Sequence, residues 1–313
     1  MSRVFITGAG GMVGKNLLNV LVENDMEVYA PNREELNLFD NHSVEVAFKN
    51  FKPDLVIHLA GVVGGIRDNI DRPVDYLVEN VEIGNNVIKS AFRADVKRFL
   101  NLGSSCIYPR DAHNPLEEES LLTGNLEPTN EGYALAKIYA LKLCSYYSRQ
   151  YGVEYKTIIP PNLYGPYDKF GKQRSHLIPA IIQKIDDAVS LGHSKINIWG
   201  DGLVRREFMY VMDLVSFIIR ILDEVEFDKL PEVMNLGLGY DYTINEYYEE
   251  VMKAMKFDLN FEHDLTKPVG MKQKLLNISK AKHIFNWEPQ YSLQEGLMLT
   301  LEHFYSNKSN LRI

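Results

Sequence analysis

Val4-Phe5-Ile6-Thr7-Gly8-Ala9-Gly10-Gly11-Met12-Val13-Gly14 is the stretch that decides the fold. A short β-branched and aromatic run stops at a cluster of glycines, and Leu17, Leu18, Val20, Leu21 and Val22 then recur with helical spacing. Strand, tight turn and helix in that order make a phosphate-binding turn. Glycines let the backbone approach a pyrophosphate, whose charge is met by amide groups and the positive end of the helix.

The pattern repeats along the chain. Val28-Tyr29-Ala30, Asp54 to Ala60, Arg98 to Leu102 and Tyr155 to Ile159 read as strands. Val44 to Phe48, Val78 to Arg93 and Asn130 to Ser148 read as the helices between them. The apolar run at Leu55-Val56-Ile57 suits a strand buried on both faces. Alternation at this spacing predicts an α/β fold, a doubly wound parallel Rossmann-type sheet with a smaller C-terminal α/β domain for substrate. The rhythm breaks at Pro160, Pro161, Gly165 and Pro166, and basic and polar residues are dense through Arg174. We therefore expect a dinucleotide-binding domain over 1–165, with 208–238 returning to it, and a substrate domain from 166–207 and 239–313. In that second part Leu177 to Ile185, Asp213 to Leu222, Ile244 to Met255 and Leu293 to Tyr305 read as helices, and Ile196 to Trp199 and Val233 to Leu236 as strands.

Composition bounds the rest. The 313 residues are 45% hydrophobic and 24% charged, ordinary for a globular protein and wrong for a disordered tail or a coiled coil. A net charge of -8 disfavours nucleic acid and anionic membranes, so an anionic ligand needs a local basic site. No apolar stretch is long enough for a membrane span. Two cysteines, Cys106 and Cys144, make no disulfide framework, and no signal-like segment precedes the first strand. The expectation is a reduced, cytoplasmic protein.

Two further clusters carry chemistry. Tyr133 and Lys137, four apart on one helix, project from the same face, where the ammonium favours tyrosinate and is able to hold a ribose hydroxyl. Ser104 follows the strand ending at Leu102, at the carboxyl end where ligands bind in such sheets. After the second strand comes Ala30-Pro31-Asn32-Arg33, with no carboxylate for ribose hydroxyls and a guanidinium suited to a 2′-phosphate. NADP is favoured over NAD. Glu34 and Glu35, which come just after, read as a solvated helix start.

Thr-Gly-x-x-Gly-x-x-Gly with Tyr-x-x-x-Lys resembles the extended short-chain dehydrogenases/reductases. Gly103 to Pro109, Glu127 to Lys137, Asn162 to Pro166, Ser175 to Ala180, Trp199 to Gly202 and Arg206 to Phe208 are similar to the GDP-L-fucose synthase family over almost the whole length. That family converts GDP-4-keto-6-deoxy-mannose into GDP-fucose with NADPH. The resemblance implies Ser104, Tyr133 and Lys137 as the reductase triad and Cys106 and His176 as the proton carriers of a C3/C5 epimerisation. It extends the cofactor set to Gly8, Gly10, Gly11, Met12, Val13, Gly14, Arg33, Asn37, Leu38, Ala60, Gly61, Asn80, Tyr133 and Lys137. The substrate set it implies is Asn162, Lys184, Trp199, Arg206 and Lys274. No metal is implied, and a homodimer through the helix bearing Tyr133 and the one before it is. On residue type alone, Cys106 is as readily a small packer, His176 a neighbour of a helix cap, and Lys184 and Lys274 solvated charges. Cys144 reads as core.

The chain departs from the family at several points. Val269-Gly270-Met271-Lys272-Gln273-Lys274 stands for Asp-Gly-Thr-Pro-Arg-Lys, and Asn277 for an aspartate. Gly10 replaces a basic residue, the lysine common after the third strand is missing from Gly61 to Gly64, and Gly132 and Pro161 replace proline and threonine. These changes leave open a dedicated C4-reductase of another GDP-4-keto sugar, such as a 6-deoxy-heptose of a bacterial capsule. An NAD-retaining 4-epimerase or 4,6-dehydratase is disfavoured by Arg33 and by Cys106 standing where a carboxylic acid is wanted. A silent NADP-sensing module would be expected to lose Tyr133 or Lys137, and both are present.

Overall fold

The computed structural model describes residues 2–21, 26–171, 175–267 and 269–308. Val22 and Arg174 of the readings above lie outside them. In chain order the elements are β1 (Arg3–Thr7), α1 (Met12–Leu21), β2 (Glu27–Tyr29), α2 (Asn41–Phe51), β3 (Leu55–His58), α3 (Ile66–Asp71), α4 (Pro73–Arg93) and β4 (Arg98–Leu102). Then come α5 (Glu131–Tyr151), β5 (Glu154–Ile159), β6 (Asn162–Tyr164), α6 (Leu177–Ser190), β7 (Lys195–Trp199), β8 (Arg205–Arg206) and β9 (Phe208–Tyr210). They are followed by α7 (Val211–Arg220), α8 (Glu224–Lys229), β10 (Val233–Asn235), β11 (Tyr242–Thr243) and α9 (Ile244–Met255). The chain closes with β12 (Asn260–Asp264), β13 (Gln273–Lys274), α10 (Ser279–Phe285) and α11 (Leu293–Ser306).

Six strands form one parallel sheet in the order β10-β5-β4-β3-β1-β2. The side chains explain why it is covered on both faces. Val4 and Ile6 of β1, Leu55 and Ile57 of β3 and Leu100 of β4 enter one core cluster, which also takes Leu17 of α1 and Leu214 of α7. Phe5, Val56 and Phe99, the alternate residues of the same strands, enter a second with Phe48 of α2, Val87 of α4 and Cys144 of α5. Period-two alternation with both faces apolar is the mark of a doubly wound sheet. Strand order reverses between β1 and β3, which opens a crevice at their carboxyl ends.

The helix expected from Val78 starts at Pro73, which fits the first helical position because its missing N–H is not needed there. Gly132 lets α5 lie against that start, since a Cβ there would sit 2.6 Å from the Pro73 carbonyl. The third strand ends at His58, short of Ala60. Beyond the sheet, β8 joins β11 and β13, β7 pairs with β12, and β6 with β9. None of these pairings was anticipated except the strand at β7. A helix capping box at Thr243 and Glu246 starts α9, and another at Ser292 and Glu295 starts α11. No helix among the described residues is long and apolar enough to cross a membrane.

Candidate active site

The glycine turn is shaped by close backbone approach. Gly8 has φ +76, and a Cβ there would meet the Ala60 amide nitrogen at 2.6 Å. A Cβ on Gly14 would meet the Gly8 carbonyl at 2.4 Å. The Gly11 N–H donates to that same carbonyl at 3.0 Å. Gly10 and Gly11 are exposed, and nothing lies within 4 Å of where a Gly10 Cβ would point. α1 begins at Met12 and Val13 with no acidic residue in its first turn, so its positive end is left for a ligand.

After β2, Glu35 is drawn into a local turn: its carboxylate accepts from the Asn32 N–H at 2.8 Å, while Asn32 Oδ1 accepts from the Glu34 and Glu35 N–H groups. Arg33 is exposed and makes no ion pair among the described residues. Asn37 caps locally through Phe39 N–H, and the Leu38 carbonyl accepts from Asn86.

Asn80 of α4 fixes the segment after β3. Its Oδ1 accepts from Val62 N–H at 2.8 Å, and its Nδ2 donates to the Val62 and Tyr76 carbonyls. A Cβ on Gly61 would lie 3.0 Å from Asn80 Oδ1 and 3.6 Å from Lys137 Nζ, so the three converge with Ala60 on the crevice.

Lys137 Nζ donates to the Leu102 carbonyl at 3.0 Å and lies 5.9 Å from the Tyr133 ring centroid. Burial pulls its ammonium down to about 8, with Cys106 opposing. At neutral pH it is still mainly charged. Burial, then Cys106, pushes the Tyr133 phenol up, while a hydrogen bond with Ser104 pulls the other way. The phenol is therefore in its proton-donating form. Ser104 opens a turn in which its Oγ accepts from Cys106 N–H at 3.4 Å, and the Gly103 and Ser105 N–H groups tie that turn to the Ile158 and Pro160 carbonyls.

From the opposite side, Lys274 Nζ donates to Cys106 Sγ at 3.5 Å. The register of β13 on β8 sets Lys274 beside Arg206. Arg206 donates to the Arg205 and Val269 carbonyls; burial lowers it, opposed by Cys106, Glu127 and Asp241. His176 is half-buried at the start of α6 without capping it. Burial, then the Lys169 and Lys274 charges, pull its imidazole down to about 4. The structure thus brings Ser104, Cys106, Tyr133, Lys137, Arg206 and Lys274 into one cluster, with His176 within the electrostatic reach of Lys274.

The remaining substrate candidates stand apart. Lys184 gives its hydrogen bonds to the Asn197 carbonyl at 2.6 Å and the Tyr248 hydroxyl at 2.9 Å, and burial lowers it. Asn162 is half-buried on β6 beside Phe208. Trp199 is 42% exposed and lines a pocket of about 230 Å³ with Ile66, Arg67, Ile70, Asp71 and Lys267.

Sequence reasoning passed over His58. It is buried at the end of β3, 2.7 Å from Thr7 Oγ1, and burial with the Lys137 charge behind it pulls it down to about 3. The signal was one polar residue inside the apolar run Leu55 to Ala60. Glu207 was passed over as well. Its carboxylate accepts from the Leu238, Gly239 and Leu276 N–H groups and binds the strand segments around Arg206, while burial raises it to about 7. No local pattern announces that role.

A model of the NAD dependent epimerase/dehydratase family matches residues 4–237. The chain is 46% identical to a GDP-L-colitose synthase of Yersinia pseudotuberculosis, over 98% of this chain and 99% of that one. It is 38% identical to a GDP-L-fucose synthase of Escherichia coli, over 99% and 98%. Among solved structures, a GDP-mannoheptose C4 reductase from Campylobacter jejuni with NADP bound superposes with a TM-score of 0.87 at 30% identity, over 97% of this chain and 98% of that one. With the glycine turn, the Tyr-x-x-x-Lys helix and this end-to-end likeness in hand, the chain belongs to the NAD dependent epimerase/dehydratase family, and within it to the GDP-L-fucose synthase group of extended short-chain dehydrogenases/reductases.

Proposed function

We propose that the chain is an NADPH-dependent oxidoreductase that reduces the C4 ketone of a GDP-linked 4-keto-6-deoxy sugar. The observation that carries this reading is the convergence of Ser104, Tyr133 and Lys137 beside the open glycine turn. The residues fit the cofactor: a tight turn whose outer face is bare, a helix start with no acidic residue in its first turn, and an exposed Arg33 for a 2′-phosphate. NADPH, when bound, supplies the hydride. Tyr133 gives its proton to the C4 oxygen, Ser104 shares the hydrogen bond, and the Lys137 ammonium offsets the charge left on the phenol.

We also propose epimerisation in the same site, with Cys106 and His176 moving protons at the carbons beside the ketone. A carbonyl acidifies those protons, and the enolate needs the same oxyanion donors as the reduction. A second substrate reading is favoured by the departures around Arg206: Val269 packs on Gly200, Met271 is buried, and Arg206 bonds the Val269 carbonyl. An apolar wall there suits a GDP-4-keto sugar other than the fucose precursor, such as one leading to L-colitose or a heptose.

The chain divides by this reading into a cofactor lobe of 1–165 and 208–238 and a substrate lobe made from the remainder. A homodimer through α4 and α5 is supported by exposed Val78, Leu135, Tyr139 and Tyr146 on those helices, and a cytoplasmic location belongs to the same reading.

The test is NMR of the product from GDP-4-keto-6-deoxy-mannose and NADPH in deuterated water. GDP-L-fucose with deuterium at C3 and C5 establishes both activities. A C4-reduced product without deuterium removes the epimerase. NADPH bound but never oxidised, with this and with the deoxy and heptose analogues, overturns the reductase.

A further inference from the structure

Tyr76, one turn into α4, is 1% exposed and packs at right angles to Tyr133, with ring centroids 6.3 Å apart and planes at 84°. Two glycines admit it. Gly132 precedes Tyr133, and without a Cβ it lets α5 start against the Pro73 carbonyl, which sets Tyr76 opposite Tyr133. A Cβ on Gly64 would sit 2.1 Å from the Tyr76 hydroxyl, so any larger residue there displaces it. Past Gly64, that hydroxyl donates to Asp68 Oδ2 of α3 at 2.6 Å, the short length of a bond to a carboxylate. α3 is itself moored. Asn69 donates from Nδ2 to the Gly64 and Gly65 carbonyls, and the helix packs on the turn Pro128–Asn130 that leads into α5. Ile66 and Ile70 of the same helix line the Trp199 pocket. Lys137 lies over the Tyr133 ring at 5.9 Å, but a cation attracts a ring without fixing its tilt. A second ring packed across it does fix the tilt.

We propose that Tyr76 is a positioning residue for Tyr133, locked in place by Asp68, so that α3 sets the tilt of the phenol that gives its proton to the ketone oxygen. The consequence for catalysis rests on the reductase reading above. Tyr76 acts only through the Tyr133 ring. Its hydroxyl is spent on Asp68, and its ring is the surface against which the donor is aimed. Cutting the hydrogen bond frees Tyr76 to tilt, and Tyr133 with it, while the glycine turn and Lys137 stay where they are. Proton delivery depends on placement to a fraction of an ångström, so the cost falls on turnover and not on cofactor binding.

The experiment separates the ring from its hydroxyl. Tyr76→Phe keeps the ring and cuts the bond, Asp68→Ala cuts the same bond from α3, and Asp68→Asn still offers an oxygen acceptor. In the full chain labelled with ¹³C-tyrosine and loaded with NADP, the Tyr133 resonance is identified by its loss in Tyr133→Phe. It is expected to move in Tyr76→Phe and in Asp68→Ala, and to return toward its wild-type position in Asp68→Asn. With GDP-4-keto-6-deoxy-mannose or its heptose analogue, kcat should fall about tenfold in each of the first two variants. The double variant should fall no further, since both changes break one bond, and Asp68→Asn should recover most of the loss. The dissociation constant for NADPH should not move. A side chain that merely supports the fold would lower the urea midpoint and leave kcat of the folded enzyme unchanged. A Tyr133 resonance that stays in place in both variants overturns the proposal, and so does a moved resonance with unchanged kcat. A moved resonance in a chain that never oxidises NADPH upholds the lock and removes the reductase reading, so the two fail separately.

Discussion

On the sheet side of the site, the glycine turn, Ser104 and Lys137 hang from strands of four to six residues and from a helix of 21. On the other side, Arg206 and Lys274 sit on strands of two residues each, joined in a three-stranded patch with β11. The first side takes its geometry from regular elements that would form in any protein of this fold. The second depends on single side chains that staple short pieces together. Asp241 accepts from Arg205 Nε and Gln273 Nε2, each at 2.7 Å, and so ties β8 to β13. The comparison teaches that the sheet side is held by regular elements and the proposed substrate side by side chains on short strands. The two should fail in different ways.

The largest expected effect tests the chemistry both sides serve. Tyr133→Phe removes the phenol proposed as the proton donor but leaves the helix and the glycine turn in place. Turnover should fall by about 10²–10⁴-fold while fluorescence titration still detects NADPH binding. Unchanged turnover would remove Tyr133 from the reaction.

Next, Gly14→Ala puts a Cβ 2.4 Å from the Gly8 carbonyl, backbone that cannot yield. We expect a loss of about 1–3 kcal/mol in unfolding free energy, with NADPH affinity falling too. Gly10→Ala meets open space and should stay within about 0.5 kcal/mol of wild type. Equal effects at the two positions would show that the turn is not set by backbone approach.

This contrast also explains what the sequence disclosed. β1, α1 and α5 announce themselves through apolar periodicity, glycine spacing and a four-residue Tyr-Lys step, all local. β8 and β13 are too short for any periodicity, and the Lys274 to Cys106 contact is made only by folding. The resemblance implied Lys274 and Lys184 on substrate, whereas residue type alone read them as solvated charges. Lys274 points at a sulfur, and Lys184 at the Asn197 carbonyl and the Tyr248 hydroxyl. Where a long flexible cation ends is decided by tertiary packing, which no local pattern encodes.

Asp241→Ala should strike the second side alone. With the staple gone, KM for the nucleotide sugar is expected to rise roughly tenfold, about 1.4 kcal/mol. The dissociation constant for NADPH should not move. A matching loss of NADPH affinity would mean that the two sides are one mechanical unit.

The smallest effect at neutral pH concerns His58, which belongs to the sheet side through Thr7 and Lys137. Its folded-state value of about 3 lies below the ordinary 6.5, so between those limits the unfolded chain binds a proton that the folded chain refuses. Stability must therefore fall as pH drops through that window, by up to about 1.4 kcal/mol per pH unit from this group. His58→Asn removes the titration. Its urea midpoint, plotted against pH, should decline less steeply than that of wild type from pH 6.5 downward, and the two slopes should agree above pH 7. His176, Asp168, Asp213 and Glu207 also titrate abnormally, but they are common to both proteins and cancel in the difference. Parallel curves throughout would mean that water reaches His58, and that the backbone-held side of the site is less tightly closed than the side held by Asp241.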